Sequence, residues 1–382
     1  MSYKVPQLIP YLGEEEISNL EKAVKNKWIT EGPFAEKFVE EIKRFTGVKY
    51  AVLAPNGTLG LYLSLLAMGI KSGDEVIVPD FTFVASGTSV VFSGAKPVFV
   101  DVNRKDYHIL VDQIENSITE NTKAIMPVHI YGQCAEMAPI LEIAKKYKIK
   151  VIEDAAQSLG VFYSKNNRLS VSPYNVLDKD IEHTGTIGDI GVISFFADKT
   201  ITMGEGAVVL TNDADIFEKL KLIRNQGRLS SGTFIHPHVG MNFRVTDLQC
   251  AVGVAQLSKY DEISQKKISN YMLYKKQLEH LENIVFVNEL EYCNFVPFRA
   301  PITVEDLNGL TNYLESKSIQ TRGFFYPMHK QPCFTMDRLD FNRFKNSNKL
   351  YETGLAFPVY PDLTELLITY ICDTIIEFYN NN

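Results

Sequence analysis

The chain has 382 residues, 45% of them apolar and 22% charged, with a formal net charge of −7; this is the composition of a globular protein long enough for two domains and a large core. The acidic balance argues against binding nucleic acid or an anionic membrane by bulk charge. No apolar stretch approaches the roughly 20 residues of a membrane span, and the start Met1-Ser-Tyr-Lys-Val-Pro-Gln7 does not read as a signal peptide, so a cytoplasmic protein is expected. The five cysteines (134, 250, 293, 333 and 372) are odd in number and lack a C-x-x-C, and the seven histidines are scattered. Neither a disulfide framework nor a metal site is expected.

In chain order, Ile17, Leu20 and Val24 fall on one face of a short helix. Tyr50-Ala-Val-Leu53 reads as a strand. It is followed by Pro55-Asn56-Gly57-Thr58 and an apolar, helical stretch from Leu59 to Leu66. A helix N-terminus opened by Gly57 and Thr58 offers free N–H groups and a hydroxyl to a phosphate, though the same residues also make an ordinary cap. Glu75-Val-Ile-Val78, Pro97-Val-Phe-Val100, Ala124-Ile-Met-Pro-Val128 and Val151-Ile152 read as further strands, with helix at Pro139-Ile-Leu-Glu-Ile-Ala-Lys-Lys146. Strands alternating with helices imply an α/β fold with a mostly parallel sheet covered on both faces.

Asp154 falls near the carboxyl end of a strand, where open α/β sheets place ligand chemistry. It could equally be a helix N-cap. Lys199 lies between the apolar runs Gly191-Val-Ile-Ser-Phe-Phe196 and Ala207-Val-Val-Leu210, in a turn between two buried strands. A lysine held there can attack a carbonyl once its ammonium loses a proton; a solvated turn lysine is the ordinary alternative. From Thr246 to Glu282 the chain has few breakers and reads as one long helix leading to a C-terminal domain. The expected division is a large domain of residues 1–258 and a small α+β domain of residues 259–382. No G-x-G-x-x-G opens a helix after the first strand and no P-loop is present, which removes a dinucleotide-binding reading.

Blocks of sequence taken together resemble the sugar aminotransferase group of the aspartate-aminotransferase superfamily (fold type I, dependent on pyridoxal 5′-phosphate). They are, in order, Trp28-Ile-Thr-Glu-Gly-Pro33, Asn56-Gly-Thr58, Pro79-Asp-Phe-Thr-Phe83-Val-Ala85, Gly94-Ala-Lys-Pro-Val-Phe-Val-Asp101, Val128-His-Ile-Tyr-Gly132, Glu153-Asp-Ala-Ala-Gln157, the Lys199 segment, Gly240-Met-Asn-Phe-Arg244 and Thr321-Arg-Gly-Phe-Phe-Tyr-Pro-Met-His329. The resemblance implies that Lys199 bonds the cofactor and shuttles a proton, and that Asp154 pairs with its pyridine nitrogen. It places Phe83 on the ring face, with Phe81 as the neighbouring alternative, and Gln157 at the phenolic oxygen. Gly57, Thr58 and Ser194 meet the phosphate, and Asn242 reaches it from a neighbouring subunit, which implies at least a homodimer. For a sugar nucleotide it points to Trp28, Thr30, Arg322, Tyr326 and His329. The implied reaction is amino transfer from L-glutamate to a nucleotide-linked 4-keto-6-deoxy-sugar, most similar to the GDP-linked branch. Alternatives are a UDP- or dTDP-linked 3- or 4-aminotransferase, a dehydratase on the same scaffold, which Lys199 disfavours, and a non-catalytic regulatory protein that kept the fold. Residues 161–185 form a polar stretch longer than in such relatives and read as a surface loop or hairpin.

Overall fold

The computed structural model describes residues 3–165, 180–229, 234–334 and 341–381. Its strands, in chain order, are β1 Tyr50–Ala54, β2 Glu75–Pro79, β3 Lys96–Val100, β4 Thr122–Ile125, β5 Lys150–Asp154, β6 Phe162–Ser164, β7 Ile181–His183, β8 Ile190–Ser194, β9 Ala207–Thr211, β10 Ile284–Phe286, β11 Ala300–Val304, β12 Arg322–Gly323 and β13 Gly354–Phe357. Seven of them form one sheet in the order β1-β9-β8-β5-β4-β2-β3. Only β9 runs against its neighbours there, so the sheet is mostly parallel as expected.

Alternation along these strands explains the layers. Val52, Ile152, Val192 and Val209 face one way, into a core with Leu61, Leu65 and Val90. Ala51, Leu53, Ile193, Val208 and Leu210 face the other, into a core with Phe38, Ile42 and Val254. Helices Gly57–Ala67 and Ala85–Phe92 therefore cover one side, and Pro33–Thr46 with Asp247–Ser258 the other. Both β8 and β9 are buried along their whole length, which is why they read as unbroken apolar runs. A second, antiparallel sheet has the order β10-β11-β13-β12. Its core joins Ile302, Leu355 and Phe357 to Tyr274, Leu278, Ile371 and Ile375.

Two expectations change. The long helix is two helices, Asp247–Ser258 and Tyr260–Leu278, parted at Lys259, which has φ −100°. Each half serves a different core: Cys250 and Val254 pack with the large sheet, Tyr271 and Tyr274 with the small one. The Lys259 ammonium lies 2.7 Å from Glu16. That pairing also decides the second change. Helix Glu14–Lys25 turns Glu16 and Ala23 inward, while Ile17 and Val24 are each 59% exposed. Glu16 is held by Lys259, Gln256 and the Gly13 N–H, so a polar seam rather than the apolar face docks this helix. The ends of the 161–185 stretch pair as the β6–β7 hairpin, one of the two forms expected, and residues 166–179 lie outside the described residues.

Gly132 shows how closely the two sheets' segments approach. It has φ +93°, and a Cβ there would fall 1.8 Å from the Val296 carbonyl oxygen. Gly132→Ala should therefore destabilise the protein by more than about 1 kcal/mol, read as a lower denaturant midpoint at unchanged slope.

Candidate functional site

Strands β1, β2, β5 and β8 point their carboxyl ends to one edge of the sheet, the edge where such folds bind ligands. A cleft of about 890 Å³ opens there. Asn56, Gly57 and Thr58 line it after β1, Thr82 and Phe83 after β2, Asp154 at the end of β5 and Ser194 at the end of β8. Residues from the second sheet and its connections, among them Phe298, Arg299, Arg322, Phe325 and Tyr326, close the opposite wall.

Gly57 starts helix Gly57–Ala67, whose N-cap Asn56 accepts a hydrogen bond from the Leu59 N–H at 3.0 Å. The helix N-terminus thus faces the cleft with its first N–H groups, a site suited to an anion. A Cβ on Gly57 would lie 3.1 Å from Ser194 Cβ and 3.2 Å from its hydroxyl. The missing side chain keeps this cradle open beside Ser194.

Asp154 is buried. Its Oδ2 accepts from the Ser86 hydroxyl at 2.7 Å and its Oδ1 from the Ala156 N–H at 3.1 Å. No helix begins after it, so it does not act as an N-cap. Burial raises its carboxyl above the usual range, and the Ser86 and Ala156 hydrogen bonds only partly oppose this. Such a carboxylate favours a cation brought in by a ligand. Lys199 sits in the β8–β9 connection with its Nζ 4.4 Å from the centroid of the Phe298 ring and 3.7 Å from Asp198 Oδ1. Burial draws its amine below the ordinary lysine value, against the pull of Asp198 and Asp154.

Phe83 is 55% exposed and offers its ring to the cleft, whereas Phe81 is buried among Tyr107, Tyr131 and Phe324. Of the two, only Phe83 lines the cleft. Gln157 lines the cleft too, its Oε1 accepting from the Tyr131 N–H at 2.8 Å. Arg322 and Tyr326 line the far wall.

Four residues expected at the site are not in this chain's own cleft. His329 is buried, with Nδ1 2.7 Å from Asp80 Oδ2 and its ring stacked on Phe344. It does not line the cleft; it ties the segment after Tyr326 to the end of β2. Trp28 donates its Nε1–H to the Glu31 carbonyl at 2.7 Å, and the Thr30 carbonyl accepts from the Asp247 N–H at 3.1 Å. Asn242 is exposed, and its Oδ1 accepts from the Arg244 N–H at 3.3 Å.

Sequence reasoning missed Tyr131, Phe298, Arg299 and Phe325 as site residues. Tyr131 stood inside a noted block, and its φ of +53° next to Gly132 aims it at Phe325, on which it stacks at 5.7 Å. Phe298 and Arg299 gave no local signal. A second lysine lies behind them. Lys267 is 4% exposed and donates to the Phe298 carbonyl at 3.3 Å. Burial, helped by Arg299, lowers its amine to about 7.

The Lys267 shift has a thermodynamic sign. Between pH 7 and the ordinary lysine value the unfolded chain holds this proton and the folded chain does not, so this residue makes stability rise with pH. Its contribution is complete above the unfolded value and is lost as pH falls toward about 7. Lys267→Met should therefore gain less stability than the parent between pH 7 and pH 9, measured as the difference in denaturant midpoints at the two pH values.

Comparison with known proteins follows this geometry. A model of the DegT/DnrJ/EryC1/StrS aminotransferase family matches residues 10–376. The GDP-perosamine synthase of Escherichia coli O157:H7 is 34% identical over 379 residues, covering 99% of this chain and 99% of that protein. The dTDP-4-amino-4,6-dideoxy-D-glucose transaminase of Shigella dysenteriae is 33% identical over 380 residues, covering 97% of each. Among solved structures, S. venezuelae DesV in complex with a ketimine intermediate is 26% identical with a TM-score of 0.87, covering 95% of this chain and 94% of that one.

Proposed function

Since the chain belongs to the DegT/DnrJ/EryC1/StrS aminotransferase family, we propose that it transfers the amino group of L-glutamate to C4 of a nucleotide-linked 4-keto-6-deoxy-sugar, with GDP-4-keto-6-deoxy-D-mannose as acceptor and GDP-perosamine as product. The family's cofactor is pyridoxal 5′-phosphate. One observation carries the chemistry: the buried Asp154 at the end of β5 and the partly buried Lys199 in the connection after the adjacent strand β8 line one cleft. Similarity to GDP-perosamine synthases supports the acceptor, and similarity to a dTDP-sugar transaminase supports a dTDP-linked acceptor as the second reading.

The residues fit the cofactor at each end. Gly57 and Thr58 N–H groups and the Ser194 hydroxyl suit its phosphate, in the cradle that a Cβ on Gly57 would crowd. Asp154 suits the pyridine nitrogen, because a protonated ring supplies the cation that its burial calls for. Phe83 offers a ring face and Gln157 a polar group at the ring edge. When bound, the cofactor supplies an electron sink for the carbon that loses its proton. Lys199 Nζ would be the group that takes up and returns that proton at the reacting carbon, a role that its lowered proton affinity favours. Arg322 and Tyr326 offer a cation and an aromatic face to a pyrophosphate and a sugar or base.

The working unit in this reading is a homodimer. Leu12, Ile17, Val24, Trp28 and Ile29 leave apolar surface exposed, as do Ile235, Val239 and Met241 near Asn242. A second copy would cover such surface and bring Asn242 to its neighbour's phosphate site.

Lys199→Ala should lose at least ~10²–10⁴-fold in turnover. Retention of most activity would remove Lys199 from its role. For the substrate, glutamate is added to the holoenzyme first, and the yellow colour should fade. Keto-sugar nucleotides are then added singly, and the colour should return with the GDP-linked mannose derivative. Return only with a dTDP- or UDP-linked sugar would overturn the acceptor but keep the chemistry. For the shared site, Lys199→Ala and Asn242→Ala chains, refolded together, should regain activity that neither has alone. A mixture no better than the sum of its parts would contradict a shared site.

A further inference from the structure

A carboxylate adjoins Lys199 yet forms no hydrogen bond with it. Asp198 precedes the lysine in the β8–β9 connection, and its Oδ2 accepts from Arg299 Nη2 at 2.7 Å. Its Oδ1 stands 3.7 Å from Lys199 Nζ, beyond hydrogen-bond length. That oxygen is buried and accepts no hydrogen bond among the described residues. A small rotation of Asp198 would satisfy it by bonding the Lys199 ammonium. An ammonium held in that way is neither a nucleophile nor a base. The guanidinium opposes this rotation, since turning Asp198 toward Lys199 would leave Arg299, itself buried, without its ion pair.

We propose, on the reading of Lys199 as the lysine that bonds the cofactor, that Arg299 is a positioning residue: it keeps Asp198 at the long ion-pair distance from Lys199 and short of a hydrogen bond, so that the carboxylate does not lock the ammonium. Phe298 fixes the spacing between the two cations. Lys199 Nζ lies 4.4 Å and Arg299 Cζ 4.8 Å from the centroid of its ring. Lys267 holds the backbone at that point through the Phe298 carbonyl.

The charged groups around Lys199 are Asp198 on its own turn, Asp154 at the end of β5, Arg299 before β11 and Lys267 on helix Tyr260–Leu278. Tyr131 and Arg322 act on Arg299 from farther out. All but Asp198 and Arg299 are unchanged in a double-mutant cycle on that pair, so they cancel.

The experiment uses full-length protein freed of cofactor. Trace acetylation with acetic anhydride across a pH series, followed by mass spectrometry of the Lys199 peptide, reads the pH at which this amine loses its proton. In Arg299→Met that midpoint should rise by about one pH unit or more as Asp198 swings onto the lysine. In the Asp198→Asn background the same substitution should raise it by less than half as much. No rise in Arg299→Met overturns the proposal. An equal rise in both backgrounds also overturns it, because Arg299 would then act by charge alone. Should Arg299→Met not yield folded protein, the shorter and uncharged Arg299→Gln runs the same cycle with the same two outcomes. Failure of the broader reading shows elsewhere, as cofactor retention and activity in Lys199→Ala, while the labelling cycle still reads the coupling of Arg299 to Asp198.

Discussion

The site depends on keeping two opposite charges, one buried and one largely shielded, at one sheet edge without letting either be fully satisfied by the protein. Desolvation disfavours both the Asp154 carboxylate and the Lys199 ammonium. The neighbouring residue shows what full satisfaction looks like. Glu153 accepts hydrogen bonds from the Gly185, Ile187 and Gly188 N–H groups and lies 2.8 Å from His129 Nε2. His129 Nδ1 accepts from the Ala135 N–H, which puts the ring proton on Nε2, facing Glu153. Two adjacent carboxylates thus do opposite work. Glu153 fixes the turn before β8, and Asp154 keeps capacity for a cation on the other face of the same strand.

This arrangement explains which parts of the molecule could be read from sequence. The strands were legible because β8 and β9 are buried on both faces and leave continuous apolar runs, bounded by glycines and polar turns. Asp154, Ser194 and Lys199 were legible because each sits at or just beyond a strand's end, so locating the strand locates the residue. Phe298 and Arg299 were not. Their place opposite Lys199 depends on how β11 and helix Tyr260–Leu278 pack, about a hundred residues further along the chain, and no local pattern records that.

The two helix readings that changed did so for a shared reason, which is a polar contact overriding an apolar pattern. Ile17 and Val24 form an apolar face, but burial of Glu16 against Lys259 and Gln256 turns that face outward. Lys259 also marks the point where the expected single helix divides. His329 was expected at the substrate only through the resemblance of the Thr321–His329 block. Its bond to Asp80 places it in the core instead.

A final regularity links these observations to the cleft's shape. Three strands that run parallel to one another, β2, β3 and β5, carry an aspartate at or immediately after their carboxyl end: Asp80, Asp101 and Asp154. Asp80 accepts the His329 N–H and bonds its ring, and Asp101 accepts the Asn346 and Ser347 N–H groups and the Ser347 hydroxyl. Both therefore anchor the chain that leads from Arg322 and Tyr326 toward β13, and so fix the far wall of the cleft against the large sheet. Asp154, the third, anchors no distant segment. Its partners are one serine and one nearby N–H, and it faces the cleft that the other two hold in place. The same residue type at equivalent strand ends is thus divided between building the wall and lining the cleft. What separates the roles is whether a distant backbone segment supplies donors to both carboxylate oxygens or leaves the carboxylate open to a ligand.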